Sequence, residues 1–118
     1  MALYNYSLRN YASILSDFRA SMREADARVD ANFQSILRDA QHLLDINDQQ
    51  LADALSVSRP TINRWINGRN LPYLAMRKPV ITWIDKQVSE KIRRITTQEK
   101  RRELREAAPA IAAVRLAE

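Results

Sequence analysis

The most constraining stretch of this sequence runs from Asp48 to Pro72 and reads DQQLADALSVSRPTINRWINGRNLP. It contains two short helical patterns, and the only glycine in the chain, Gly68, follows the second. A glycine just after the last apolar residue of a helical pattern is a typical helix stop, and Pro72 hinders an immediate restart. The stretch therefore predicts two short helices joined by a tight turn.

The first of these helices has a start signal and a packing face. Asn47 is suited to cap it, and Gln50, three residues later, is suited to complete an approximate capping box. Apolar or small residues then recur at helical spacing, at Leu51, Ala52 and Leu55. The small Ala52 allows the second helix to approach closely, after a turn formed by Ser56 and Val57.

The second helix has two unlike faces. Ser58 is suited to be its N-cap, and Pro60 falls in its first turn, where a missing N–H does no harm. The apolar face consists of Ile62, Trp65 and Ile66, and the opposite face consists of Arg59, Pro60, Asn63, Arg64 and Asn67. This second face has two arginines, two amides and no acid. It suits the DNA major groove, where arginine pairs with guanine and asparagine with adenine.

This stretch resembles the helix-turn-helix of the lambda-repressor/Cro-like (XRE) family. The residues that carry the resemblance are Leu51-Ala52, Leu55, Val57-Ser58-Arg59, Thr61-Ile62, Arg64-Trp65, Asn67-Gly68 and Pro72. Residues 48–72 match in register, and flanking helices extend the resemblance loosely over residues 31–88. The resemblance implies an all-α, lambda-repressor-like helix-turn-helix bundle, here with an N-terminal amphipathic helix and a long basic C-terminal helix.

Two positions depart from the family pattern. The family usually has a phosphate-contacting Gln where Asp48 stands. An acid there would repel phosphate, so Gln49, Arg69 and Asn70 are expected to position the DNA. The family often has Gly where Ser56 stands. Ser56 is therefore expected to adopt an unusual backbone angle, at a cost of about 1 kcal/mol.

The resemblance also implies a set of DNA contacts. Base contacts are expected from Arg59, Pro60, Asn63 and Arg64. Contacts to the DNA backbone are expected from Gln49, Ser58, Thr61, Asn67, Arg69 and Asn70. Tyr73 either adds its hydroxyl to a phosphate or packs against Trp65, and the sequence leaves both alternatives open.

Charge and composition agree with a nucleic-acid partner. The formal net charge is +5, and residues 59–84 hold five basic side chains and no acidic one. The chain has no cysteine and a single histidine, His42, so no metal site is expected. Without a catalytic constellation or a glycine-rich phosphate loop, we expect no enzyme activity, cofactor or small-molecule ligand. The absence of a signal peptide and of an apolar run near about 18 residues favours a cytoplasmic, nucleoid-associated protein without membrane contact.

Residues 1–29 are interpreted as one segment, an amphipathic helix from about Ser7 to about Ala27. Its apolar positions recur at alternating steps of three and four residues, which makes a heptad-like seam. The candidates for dimerisation on this seam are Leu8, Tyr11, Leu15, Phe18 and Met22. The helix either pairs with its copy or folds back onto the next domain, and the dimer contact is favoured.

Residues 30–88 and 89–118 are interpreted as two further segments. In the first, the DNA-binding domain, Asp30 is the expected N-cap of the opening helix and Pro79 lies at the expected start of the last one. The second is a basic helical extension and tail. Glutamate–arginine pairs within this helix are favoured over DNA contact, and Pro109 is expected to end it.

The sequence thus favours a sequence-specific DNA-binding transcription regulator, a repressor or autoregulator. It is expected to act as a homodimer on a near-palindromic operator. The alternative is an antitoxin-type or other protein-interaction module, which binds a partner protein through the N-terminal helix or residues 110–118 and autoregulates through the same helix-turn-helix. The resemblance suggests a bacterium, phage or mobile element as the source.

Overall fold

The computed structural model describes the backbone of residues 2–117 and the side chains of residues 8–109. Within this range the chain forms five helices and no strand: α1 (Ala2–Glu24), α2 (Asp30–Leu44), α3 (Asp48–Leu55), α4 (Arg59–Ile66) and α5 (Leu74–Ala117). The all-α prediction is therefore confirmed. No helix in the described part of the chain is long and apolar enough to cross a membrane.

The helix-turn-helix pair sits on a small apolar core. α4 packs against α3 and α2, and α2 also contacts α5. The buried side chains of this core are Phe33, Ile36, Leu37, Ala40 and Leu44 from α2, Leu51 and Ala52 from α3, and Ile62 and Trp65 from α4. Trp65 meets Phe33 edge to face, with ring centroids 6.5 Å apart. The apolar face of α4 is thus fixed, and its polar face is left outside.

α1 runs along α5, and its apolar seam is used within one chain. Leu15, Phe18 and Met22 are buried, and Leu8 and Tyr11 pack half-buried against the same core. The Tyr11 hydroxyl donates a hydrogen bond to the carbonyl oxygen of Leu43. The prediction that these side chains pair with a second copy is wrong, because α5 already covers them. The fold-back alternative holds instead.

Several helix ends differ from those predicted. α1 begins at Ala2, so Ser7 lies inside it, and Val29 instead of Asp30 is the N-cap of α2. α5 begins at Leu74, because the backbone N–H groups of the next turn already bond to the carbonyl oxygen of Tyr73. Pro79 therefore lies inside α5. Pro109 also lies inside it, so the prediction that Pro109 ends the helix is wrong.

One buried arginine, Arg77, joins three parts of the chain. The residue is 7% exposed, and its guanidinium lies over the Phe33 ring, 5.3 Å from the centroid. The guanidinium donates hydrogen bonds to the carbonyl oxygens of Pro72 (2.9 Å), Ala27 (3.0 Å) and Arg28 (3.2 Å) and to the carboxylate of Asp30 (2.8 Å). Arg77 thus ties the α1–α2 loop and the α4–α5 loop to α5. Of the five basic side chains of residues 59–84, this one is therefore buried and does not contribute a surface charge.

Replacing this arginine is expected to destabilise the fold strongly. Arg77→Ala leaves three carbonyl oxygens and a carboxylate without their charged donor, and should lower the free energy of unfolding by about 3 kcal/mol. Urea unfolding followed by circular dichroism measures the change. Lys78→Ala, at an exposed neighbouring position, is the control and should change it by less than about 0.5 kcal/mol. Equal effects of the two substitutions would contradict the role given to Arg77.

Candidate nucleic-acid interface

The start of α3 and the turn between α3 and α4 both form as the sequence indicates. Asn47 Oδ1 accepts a hydrogen bond from the Gln50 backbone N–H (2.8 Å), and Gln50 Oε1 accepts one from the Asn47 backbone N–H (2.9 Å). The capping box is therefore confirmed. Ser56 has a left-handed backbone, with φ at 57°, as predicted. The chain reverses within three residues, so that α4 can lie across α3.

The N-terminus of α4 is organised by two hydroxyl side chains. Ser58 Oγ accepts a hydrogen bond from the Thr61 backbone N–H (3.2 Å), which confirms Ser58 as the N-cap. The two hydroxyl groups also share a hydrogen bond of 2.7 Å. Ser58 is exposed and Thr61 is half-buried. These two candidates for DNA backbone contact therefore lie together at the positive end of the helix.

The four candidates for base contact lie together on the outer face of α4. Arg59, Pro60, Asn63 and Arg64 are all exposed and line one shallow groove. On the opposite side of the same helix, Ile62 and Trp65 are 0% and 4% exposed. This eight-residue helix therefore presents a polar surface that its own apolar side holds in place.

The arginines of this surface keep their charge available. Among the described residues, neither Arg59 nor Arg64 makes an ion pair. Arg64 Nε makes only a long hydrogen bond, 3.4 Å, to the carbonyl oxygen of Pro60. The one acid that lines the groove, Asp48, accepts a hydrogen bond from Gln41 Nε2 (2.7 Å). The Asp48 carboxylate is thus engaged with α2.

Asn67 is directed toward a neighbour on α4. Its Nδ2 donates to the backbone carbonyl oxygen of Asn63 (2.9 Å) and to Asn63 Oδ1 (3.2 Å). Asn67 therefore fixes the orientation of the Asn63 amide. The amide of Gln49 likewise donates to Asp53 Oδ1 (2.8 Å), within α3.

The loop after α4 is held close to α2. Gly68 has φ at 74°, and a Cβ atom on it would lie 3.1 Å from the side chain of Gln34. Gln34 Nε2 and Arg38 Nε both donate to the carbonyl oxygen of Ile66, over 2.7 and 3.1 Å. The sequence analysis missed these two side chains, although their spacing of four residues places them on one face of α2. By donating to the Ile66 carbonyl oxygen, these two side chains attach the C-terminal end of α4 to α2.

The two loop residues that follow Gly68 face solvent. Arg69 and Asn70 are exposed, and Asn70 has a left-handed backbone with φ at 46°. Tyr73 is 89% exposed, so the alternative in which it packs against Trp65 is wrong. Phe33 occupies that position instead.

The comparisons with known proteins agree with this geometry. Residues 37–75 match a family model described as "Helix-turn-helix". The matched span runs from the second half of α2 through the turn and α4 to the start of α5. The match covers about a third of the chain and supports the resemblance to the helix-turn-helix of the lambda-repressor/Cro-like (XRE) family, a family of DNA-binding transcription regulators. Neither the curated proteins nor the solved structures contain a match to the chain.

The left-handed turn residue offers a direct test of the local geometry. Ser56→Gly should raise the free energy of unfolding by about 1 kcal/mol, because glycine adopts this backbone angle without strain. Ser35→Gly, at an exposed position inside α2, is the control and should lower it by about 0.5 kcal/mol. Thermal and urea unfolding of both variants measure the difference. A loss of stability in Ser56→Gly would argue against the left-handed turn.

Proposed function

We propose that the protein is a sequence-specific DNA-binding transcription regulator that reads the major groove with α4. The observation that carries this proposal is the division of α4 into a buried apolar side and an exposed, acid-free side. The exposed side groups its four candidate readers in one groove. A major groove about 12 Å wide admits a helix of this kind.

Each side chain on the outer face has a distinct role in this proposal. Arg59 and Arg64 donate paired hydrogen bonds to the O6 and N7 atoms of guanine, and Asn63 pairs with the N6 and N7 atoms of adenine. Pro60 rests against a thymine methyl group. Asn67 supports Asn63, because its amide already contacts that side chain.

The remaining candidates position the protein on the DNA backbone. Ser58 and Thr61 stand at the N-terminus of α4, where the helix dipole favours a phosphate. Gln49, Arg69 and Asn70 are exposed on either side of α4. Such contacts fix register and carry no sequence information directly. The hydrogen bond from Gln41 holds the Asp48 carboxylate against α2, and Asp48 is not one of the proposed phosphate contacts.

A single substitution separates reading from positioning. Arg64→Ala should weaken binding to a duplex selected from a random pool by about 1–3 kcal/mol and relax one base preference. Binding to a random-sequence duplex should change much less. Fluorescence anisotropy titrations measure both, with Arg28→Ala, exposed in the α1–α2 loop, as the control. Equal losses on selected and random duplexes would exclude base reading by Arg64.

The proposed regulator acts as a homodimer on a near-palindromic operator and represses by occupying it. With the α1 seam covered, exposed apolar side chains remain around the start of α5: Val29, Tyr73, Leu74 and Met76. Tyr73 and Leu74 immediately follow the loop after α4. A second copy bound there would bring two α4 helices close together, as half-sites about one helical turn apart require.

The dimer surface can be tested without altering α4. Tyr73→Ser/Leu74→Ser should raise the dimer dissociation constant about tenfold or more, because each side chain loses apolar burial. Leu104→Ser removes an exposed leucine elsewhere on α5 and should leave dimerisation unchanged. Sedimentation velocity over a concentration series distinguishes the variants. A double variant that dimerises like the wild type, or a wild type that stays monomeric, would contradict this surface.

The antitoxin-type alternative loses one of its two candidate segments. The apolar face of α1 is covered by α5 and is not available to a toxin. The other candidate, residues 110–118, lies outside the described side chains. The regulator proposal is therefore the one that the described residues favour.

A further inference from the structure

The distal part of α5 separates its charges by face. Glu99 and Glu103 pair with Arg9 of α1, over 3.4 and 3.5 Å. Within α5, Arg102 lies 3.6 Å from both Glu99 and Glu106. The three glutamates are thus turned toward α1 and Arg102, and away from the rest of the helix surface.

The other face carries four exposed arginines, Arg93, Arg94, Arg101 and Arg105, which we call the arginine stripe. Together with Thr97 and Gln98 they line one shallow groove. Positions 94, 98, 101 and 105 recur at steps of four, three and four, which keeps them on one face. Among the described residues, none of the four makes an ion pair. The prediction of pairs within the helix therefore holds for Arg102 and is wrong for the stripe.

The stripe lies on a braced helix. α1 packs along α5, and Ile95 is 6% exposed between the first two arginines and the last two. Lys91 lies 5.4 Å from the ring centroid of Tyr11 and donates to the carbonyl oxygen of Leu44. Because the helix backbone is held in this way, only the arginine side chains lose conformational freedom when this surface binds.

The proximal end of the stripe lies next to the helix-turn-helix. Arg94 lines a groove together with Ile46 and Gln50, at the start of α3. Ile46 also lines the adjoining groove that contains Gln49 and Arg59. The proximal end of the stripe therefore adjoins the surface to which we assign DNA contacts, through grooves that also contain Glu90 and Asp48.

We propose that the arginine stripe binds phosphates of duplex DNA that flanks the site read by α4, an inference that rests on the proposed function. A guanidinium group can donate two parallel hydrogen bonds to a phosphate, and Glu99, Glu103 and Glu106 are engaged with Arg9 and Arg102 instead of the stripe. From Arg94 to Arg105 the helix rises about 16 Å. This length corresponds to about five base-pair steps of a duplex. Contact of this kind adds affinity that is independent of sequence.

The test uses two lengths of one duplex, recovered by the protein from a random pool. The short duplex contains the selected site alone, and the long one adds about one helical turn on each side. The stripe variant is Arg101→Gln/Arg105→Gln. The control, Lys86→Gln/Lys100→Gln, removes the same charge from exposed positions of α5 outside the stripe groove. Anisotropy titrations at several salt concentrations give the dissociation constants, and circular dichroism checks that both variants fold.

The wild type should bind the long duplex more tightly than the short one. The stripe variant should lose about tenfold in affinity for the long duplex only, with the slope of log affinity against log salt reduced by about 2. If the stripe variant and the control retain the same slope on the long duplex, the stripe does not bind DNA and instead binds an acidic protein partner or is simply solvated. The inference then fails, while the proposed function is unaffected. If the wild type binds the selected duplex no better than a random one, the proposed function fails and takes the inference with it.

Discussion

The position of α4, the proposed DNA-reading helix, depends on the buried guanidinium of Arg77. It bonds to backbone carbonyl oxygens in the loop before α2 and in the loop after α4, and also to the carboxylate of Asp30. Because a single rigid group makes all of these bonds, the two loops cannot move independently of α5. α4 lies between these fixed points, and Gln34 and Arg38 hold its C-terminal carbonyl end.

The second constraint is the packing of α1 on α5. It buries a seam that would otherwise be free to pair with another chain, so self-association has to use a different surface. The same packing turns the glutamates of the distal helix toward Arg9. The three glutamates of the distal helix are thereby kept off the face of the arginine stripe, where Glu90 is an acid next to Arg94. A single helix–helix contact thus determines both which apolar surface and which basic surface the molecule offers.

Features with a local cause were predictable from the sequence. The capping box of Asn47 and Gln50, the Ser58 cap and the left-handed Ser56 each depend on residues within a few positions. The division of α4 into a buried and an exposed face follows from helical periodicity alone. Periodicity also located the outer face of α4 correctly, including the exposure of Arg59, although exposure by itself does not test base contact.

Features that depend on distant partners were not predictable. An apolar seam defines a face but does not say which helix covers it, so the partner of α1 was misassigned. The partners of Arg77 include residues 47 to 50 positions away, and no local pattern marks a buried arginine. Pro79 suggested a helix start by local preference, but the turn at Tyr73 begins α5 earlier. In each case tertiary contact decided the outcome.

The most direct test of base reading by α4 is selection of binding sites from a random duplex pool. The wild type and Arg59→Ala/Arg64→Ala would be carried through the same rounds at about 100 mM salt, where specific complexes normally survive. We predict that the wild type enriches a two-fold symmetric sequence and that the double variant does not. Enrichment of the same sequence by both proteins, or of none by the wild type, would contradict the assignment of α4 as the DNA-reading helix.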